Sequence, residues 1–236
     1  MIYIGIDPSL VSTSICIEVN GEDKFYNFTT NPKRSKWHNL VSNICTYHTN
    51  YYSQHKDYTK SEISKNLEYD AVAIKIINII MEYVKLDDCI IGIEGYSYSS
   101  SSGPLIDLVT FSTLLRNKIL KMSLVDSNEF NIKKLLIIQP SLLKSETCKR
   151  IYNRQIKKNS KMVFVNLQDI TGGSFKKTQM VQTIFDNAEQ YNNSCSLYNA
   201  IKSEKEQLLS AKAIPKPIDD MSDSYWIKEY IKDKNI

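Results

Sequence analysis

The sequence predicts an α/β fold built on a mixed sheet of five strands, and three features carry that expectation. The opening segment reads as a meander of three strands. Two later apolar runs, CIIGIE and KLLIIQ, read as strands, the first of them buried. Segments with helical spacing separate and follow these runs, and the order β-β-β-α-β-α-β-α points to one α/β domain.

Residues 2–6 (IYIGI) form a short β-branched run that fits a buried strand. Asp7-Pro8-Ser9 ends it, because proline cannot donate to a ladder and Asp-Pro favours a turn. STSICIEV supplies the second strand, Asn20-Gly21 a two-residue hairpin signal, and KFYNFTT the third strand. From Asn31 to about Glu68 the pattern dissolves into Tyr, His, Asn and Lys, which reads as an insertion of loop and short helix. From Tyr69, the positions Val72, Ile76, Ile79, Ile80 and Val84 recur at helical spacing, and that helix should stop before Asp87-Asp88.

CIIGIE is a strand ending at Glu94, and YSYSSSSGP is a loop. LIDLVTFSTLLRNKILKM follows as a helix, with Pro104 suited to its first turn. KLLIIQ is the next strand, closed by Pro140. Residues 145–170 are lysine-rich with one strand, MVFVNL, and read as a second insertion. After Gly172-Gly173, helices are expected from about Phe175 to Ala188 and from Leu197 to Lys212. DDMSDSYWIKEYIKD reads as the last helix, with Asp219 or Asp220 placed to cap it.

A chain of 236 residues is long enough for one well-buried domain, so residues 1–236 read as a single unit with insertions at about 31–68 and 145–170. Apolar residues make up 42 % and charged residues 24 %, which disfavours general disorder. A net charge of +4 is only mildly basic; it allows nucleic-acid binding if lysines gather on one face and acids in a site. The five cysteines form no CxxC pair and read as reduced packing residues of an intracellular protein. No signal peptide and no apolar run of about 18 residues is evident, so the expectation is a cytoplasmic protein with no membrane partner, or one working wherever phage or viral DNA is processed. Abundant Lys, Asn, Ile and Tyr suit an AT-rich genome of that kind.

Asp7 and Glu94 each end an apolar strand, and ligand sites of open α/β sheets form at the carboxyl ends of strands. Asp220 and Asp223 lie three apart on an expected helix and so share a face. Singly, each has an ordinary explanation as a turn former or a cap. Together, four converging carboxylates repel one another unless divalent cations neutralise them, and Mg²⁺ pairs few carboxylates with substrate phosphates. Two such ions can promote displacement at a phosphodiester.

These segments resemble the motifs of RuvC-like Holliday-junction resolvases, of the ribonuclease H-like superfamily. IGIDPSLVSTSICI resembles the first-strand motif, and IGIEGYSYSSSSGPLIDLVTFSTLLRNKIL the strand-terminal glutamate, polar loop and long helix. IIQPSLLK, GGSFKKTQMV and DDMSDSYW resemble the remaining motifs in the family's order. The resemblance implies a ribonuclease H-like fold and crossover-junction endodeoxyribonuclease activity. It implies Asp7, Glu94, Asp220 and Asp223 as ligands of two Mg²⁺ ions, with Mn²⁺ able to substitute, and Lys177 near the scissile phosphate. Lys176 is the competing alignment, and Asp219 leaves a one-residue ambiguity beside Asp220. Lys144 would contact DNA, and Tyr96 or Tyr98 would act as an aromatic wedge at the junction. A homodimer on branched DNA is implied, with the helix at 104–121 as interface through Leu105, Leu108, Val109, Phe111, Leu114 and Leu115; core packing explains many of these equally well.

Other chemistries have weaker support. His38, Cys45, His48 and His55 match no compact zinc spacing. There is no GxxxxGK[ST] for an ATPase and no GxSxG nucleophile elbow. The rival readings are a related nuclease acting on flaps, forks or RNA–DNA hybrids, and a non-catalytic DNA-binding protein that kept the fold.

Overall fold

Ile2–Asp7 (β1), Ser12–Val19 (β2) and Glu22–Thr29 (β3) form the expected antiparallel meander. Asn20 and Gly21 take positive φ values of 53° and 82°, as a two-residue hairpin turn of this hand requires. The computed structural model describes every residue except 32, 52, 54, 97–101, 125–131, 152–153, 159–160, 166–174, 193 and 235–236.

Cys89–Glu94 (β5) pairs parallel with β1, and Ile132–Ile138 (β6) pairs parallel with β5. The sheet has six strands, not five, in the order β4-β3-β2-β1-β5-β6. The added strand, Cys45–Thr49 (β4), lies inside the 31–68 segment and pairs parallel with β3. It is an edge strand with only Cys45 fully buried, so its sequence, CTYHT, carries no apolar run to announce it. The antiparallel meander is extended beyond β1 by parallel strands, so the sheet is mixed and the class is α/β, as the sequence predicts.

Helices cover both faces. Tyr58–Val84 (α2) and Ser102–Leu124 (α3) pack on one side over Ile4, Ile6, Ile15 and Ile91. Before them, Lys36–Leu40 (α1) starts at Ser35, whose backbone N–H donates to His38 Nδ1. α2 begins eleven residues earlier than its apolar spacing suggests, where Asp57 accepts from the Lys60 N–H as a cap. On α3, Phe111 and Leu115 face the core, while Leu105, Leu108, Val109 and Leu114 are half-buried and Ile106 is exposed.

The opposite face carries Pro140–Ile151 (α4), Lys177–Tyr191 (α5), Ser196–Ile201 (α6), Lys205–Ser210 (α7) and Ile218–Asp233 (α8). α4 replaces what reads as the start of an insertion: Pro140 ends no chain direction but opens a helix, where its missing N–H costs nothing. Arg154–Lys158 (β7) and Lys161–Val165 (β8) form a separate antiparallel pair, in which β8 overlaps the expected strand MVFVNL over 162–165; the rest of that run lies outside the described residues. The helix expected at 197–212 is broken into α6 and α7 by a 3₁₀ turn at Lys202–Glu204. Asp219 and Asp220 do not cap α8; Pro217 holds the cap position and both acids lie in the first turn.

α8 sits directly on the sheet because glycines leave room for it. A Cβ on Gly5 would lie 2.1 Å from the Ser224 carbonyl oxygen and 2.6 Å from the Lys228 backbone nitrogen. A Cβ on Gly92 would meet Ile231 and Ile227 at 2.8 and 2.9 Å. Close approach brings polar groups of α8 into the interior: Ser224 bonds Ser14 at 3.0 Å, and Lys228 lies 2.9 Å from both Glu18 and Asp23 and contacts Glu229.

All five cysteines are thiols, and no helix among the described residues is long and apolar enough to cross a membrane. His48 stacks on Phe28 with centroids 4.6 Å apart, a packing role.

Candidate active site

β1 and β5 run parallel, with Ile6 opposite Ile93, so the residues that follow this pair, Asp7 and Glu94, emerge side by side. Parallel neighbours ending together are what two apolar strands, each closed by an acid, produce. Asp7 is 7 % exposed, and its carboxyl is pushed well above the usual range. Burial is the first cause; the negative charges of Glu94 and then Asp220 are the next. Glu94 is also raised by burial, while a hydrogen bond from Asp7 and the charges of Lys177 and Lys144 pull it down. A hydrogen bond joins the two carboxyls.

α8 supplies the other acids from across the sheet. Asp220 and Asp223 are 1 % and 3 % exposed, on the face that rests against β1 and β2. Asp223 pairs with Lys177, the first residue of α5, and Asp219 Oδ1 lies 3.3 Å from the same ammonium. Lys216 contacts Asp220 and lies 3.1 Å from Asp219 Oδ2. Burial raises the Asp220 carboxyl, and Lys216 opposes that rise. Asp219 Oδ1 and Asp220 Oδ2 are buried without a hydrogen-bond partner among the described residues.

A small open cavity joins the parts. Glu94 and Asp223 line it together with Lys144 of α4 and Lys177. Carboxylates at its base and ammonium groups at its rim suit a phosphate flanked by cations. Carboxylate oxygen donors, two of them buried without a hydrogen-bond partner among the described residues, fit a hard divalent ion. As the side chains stand, no three acid, histidine or thiol groups among the described residues are spaced to cage an ion; Lys177 contacts Asp223 and Lys216 contacts Asp220.

Asp7, Glu94, Asp220, Asp223, Lys177 and Lys144 are thus neighbours in space. Lys176 is not part of the cluster: it precedes α5, and its backbone N–H donates to Gln179 Oε1 at 2.7 Å. Tyr96 is held against α3, with its hydroxyl 2.8 Å from Thr113 Oγ1 and its ring 4.2 Å from the Arg116 guanidinium. Arg116 also donates to the Glu94 carbonyl at 2.8 Å, which fixes the strand end behind the carboxylate. Tyr96 thus rests on α3 through its ring and hydroxyl, and Tyr98 lies outside the described residues. Sequence reasoning missed Lys216 and left Asp219 as an ambiguity. Lys216, Asp219 and Asp220 have ion-pair spacing, but the intervening Pro217 hides it.

No protein-family model and no curated protein matches the chain. Among solved structures, it is similar to the yeast mitochondrial Holliday junction resolvase Ydc2, at 13 % identity and a TM-score of 0.46, over 95 % of this chain and 75 % of that one. It is also similar to Thermus thermophilus RuvC, at 8 % identity and a TM-score of 0.42, over 100 % of this chain and 97 % of the other.

Proposed function

We propose that this chain is a metal-dependent, structure-selective endodeoxyribonuclease that resolves four-way or other branched DNA junctions. The observation that carries the reading is the meeting of Asp7 and Glu94, from adjacent strand ends, with Asp220 and Asp223 of α8 and the ammonium of Lys177. A cluster of this kind is costly to fold, since each buried carboxylate loses hydration that the others cannot return.

Asp7, Glu94, Asp220 and Asp223 would hold two Mg²⁺ ions, with Mn²⁺ as a substitute, and such ions supply Lewis-acid charge at a phosphodiester. The chain's own groups do the positioning. Lys177 would neutralise a non-bridging oxygen of the bound phosphate, and Lys144 would fix the backbone beside Glu94. Because burial raises both the Asp7 and Glu94 carboxyls, their ionisation would favour cation binding, so activity should rise with pH through that step. Arg116 holds the Glu94 backbone while this happens.

The half-buried and exposed apolar groups of α3, including Leu105, Ile106, Leu108 and Val109, suit a two-fold pairing of chains on a symmetric junction. Residues 1–236 would act as one nuclease domain, with the antiparallel pair of the 145–170 segment rooted between Lys144 and Lys177.

Cleavage of a mobile four-way junction, a flap and an RNA–DNA hybrid, each with Mg²⁺, tests the reading. Preferential junction cleavage that vanishes in Asp7→Asn, with junction binding retained, is expected. Preference for the flap or hybrid moves the substrate class, and wild-type cleavage by Asp7→Asn removes the catalytic assignment.

A further inference from the structure

α8 and the turn before it hold lysines in two different ways. Lys228 is 1 % exposed and locked among Glu18, Asp23 and Glu229. Lys216 reaches the acids from the rim: its side chain is 50 % exposed, while the Asp220 side chain it contacts is 2 % exposed. Its stem is in solvent and its ammonium is inside the cluster. Ser12 also hydrogen-bonds the buried Asp220 carboxylate, whose second oxygen has no hydrogen-bond partner among the described residues, so Lys216 meets it through one oxygen. Asp219 is divided in the same way, with one oxygen toward Lys216 and the other toward Lys177.

An ammonium and a divalent ion bid for the same carboxylate oxygens. A lysine held this way can leave at small cost, because its stem is flexible and its charge is strongly hydrated once released. Lys228 has no such exit. A DNA phosphate arriving at the rim would offer Lys216 another anion.

We infer that Lys216 is a tethered competitor for the metal: it holds Asp219 and Asp220 in the free protein and withdraws when a divalent cation takes Asp220. This rests on Asp220 being a metal ligand, as proposed above. Lys216 then sets metal affinity in the absence of DNA below what the acids alone would give. By linkage, a junction that draws Lys216 away tightens metal binding, and metal tightens junction binding by the same factor.

The test is Mn²⁺ binding by the full chain without DNA, followed by electron paramagnetic resonance, in wild type, Lys216→Gln, Lys216→Met and Lys216→Arg. The expected result is at least about fivefold tighter binding in the Gln and Met variants, with Arg close to wild type. Two neutral replacements guard against misfolding of one, and circular dichroism identifies a folded variant. Equal or weaker Mn²⁺ binding by folded neutral variants, against wild-type binding that Asp7→Asn abolishes, overturns the role of Lys216 alone. Failure of every variant and of wild type to bind Mn²⁺ overturns the metal-site reading and this inference with it.

Discussion

Asp7 and Glu94 end neighbouring parallel strands just beyond the Ile6–Ile93 pair, and a hydrogen bond joins their carboxyl groups. That contact decides how the metal-free protein responds to pH. Both groups titrate above their ordinary values in the folded chain, so their contribution to stability is fully present below about pH 4, where the unfolded groups are also protonated. It is lost as pH rises through the raised values.

Neutralising one member should therefore stabilise the metal-free protein at alkaline pH. With EDTA at pH 8, Asp7→Asn is expected to raise Tm by about 2–4 °C, the shift that about 1 kcal/mol gives in a chain of this size. The gain should shrink toward pH 4. Scanning calorimetry at both values checks it, and a Tm at pH 8 that falls or stays constant contradicts the strained pair.

Lys177 and Lys176 are adjacent in sequence but differ in surroundings. Both are exposed, but Lys177 lies against Asp223 and Asp219, whereas Lys176 precedes the helix with its backbone N–H bonded to Gln179. Lys177→Gln should lower single-turnover junction cleavage by about 10²–10³-fold, the scale for losing one positioned charge at a reacting phosphate. Lys176→Gln should change it by less than about threefold, as a rim charge acts mainly on encounter. The reverse ranking would shift the register of the site by one residue.

Gly5 lets α8 touch β1, and with it brings Asp220 and Asp223 to Asp7. Because a Cβ there meets backbone atoms at 2.1 and 2.6 Å, neither of which is a flexible side-chain end, Gly5→Ala must push the helix away. A loss of about 3 kcal/mol or more is expected in urea unfolding, at the upper end of overpacking costs. An alanine variant as stable as wild type would mean that α8 packs more loosely than the structure has it.

Lys228 is the charge shared by Glu18, Asp23 and Glu229 in the interior, with Lys232 a second partner of Glu18 at 2.6 Å. Lys228→Met leaves acids buried without their cation, which should cost about 3–5 kcal/mol. The pair Lys228→Met with Asp23→Asn should recover part of that loss in a double-mutant cycle. Additive losses would show that packing of the lysine stem, rather than charge, is what matters.

Much of the sheet and most of the acid cluster are legible in the sequence, for one physical reason. β1 and β5 are buried on both faces, so they appear as continuous apolar runs, and the first acid after each marks the strand end. What escapes detection lacks such a contrast. β4 is a half-buried edge, and the first turns of α2 expose Ile63 and Leu67, so apolar spacing does not report the helix there. α4 hides behind Pro140, which reads equally well as the end of a strand and the start of a helix; the buried Leu143, Thr147 and Cys148 hold the missing helical spacing. Lys216 escapes because its partnership with Asp219 and Asp220 spans a proline and depends on how the chain enters α8.

Divalent-ion binding tests most directly whether these separated acids work as one site. Mn²⁺ affinity would be measured in the presence of a four-way junction for wild type, Asp7→Asn, Glu94→Gln and Asp223→Asn. Each single change is predicted to weaken binding by about tenfold or more, because each removes one ligand from a shared site. Variants that all bind Mn²⁺ as wild type does, while remaining folded, would contradict a common cation site.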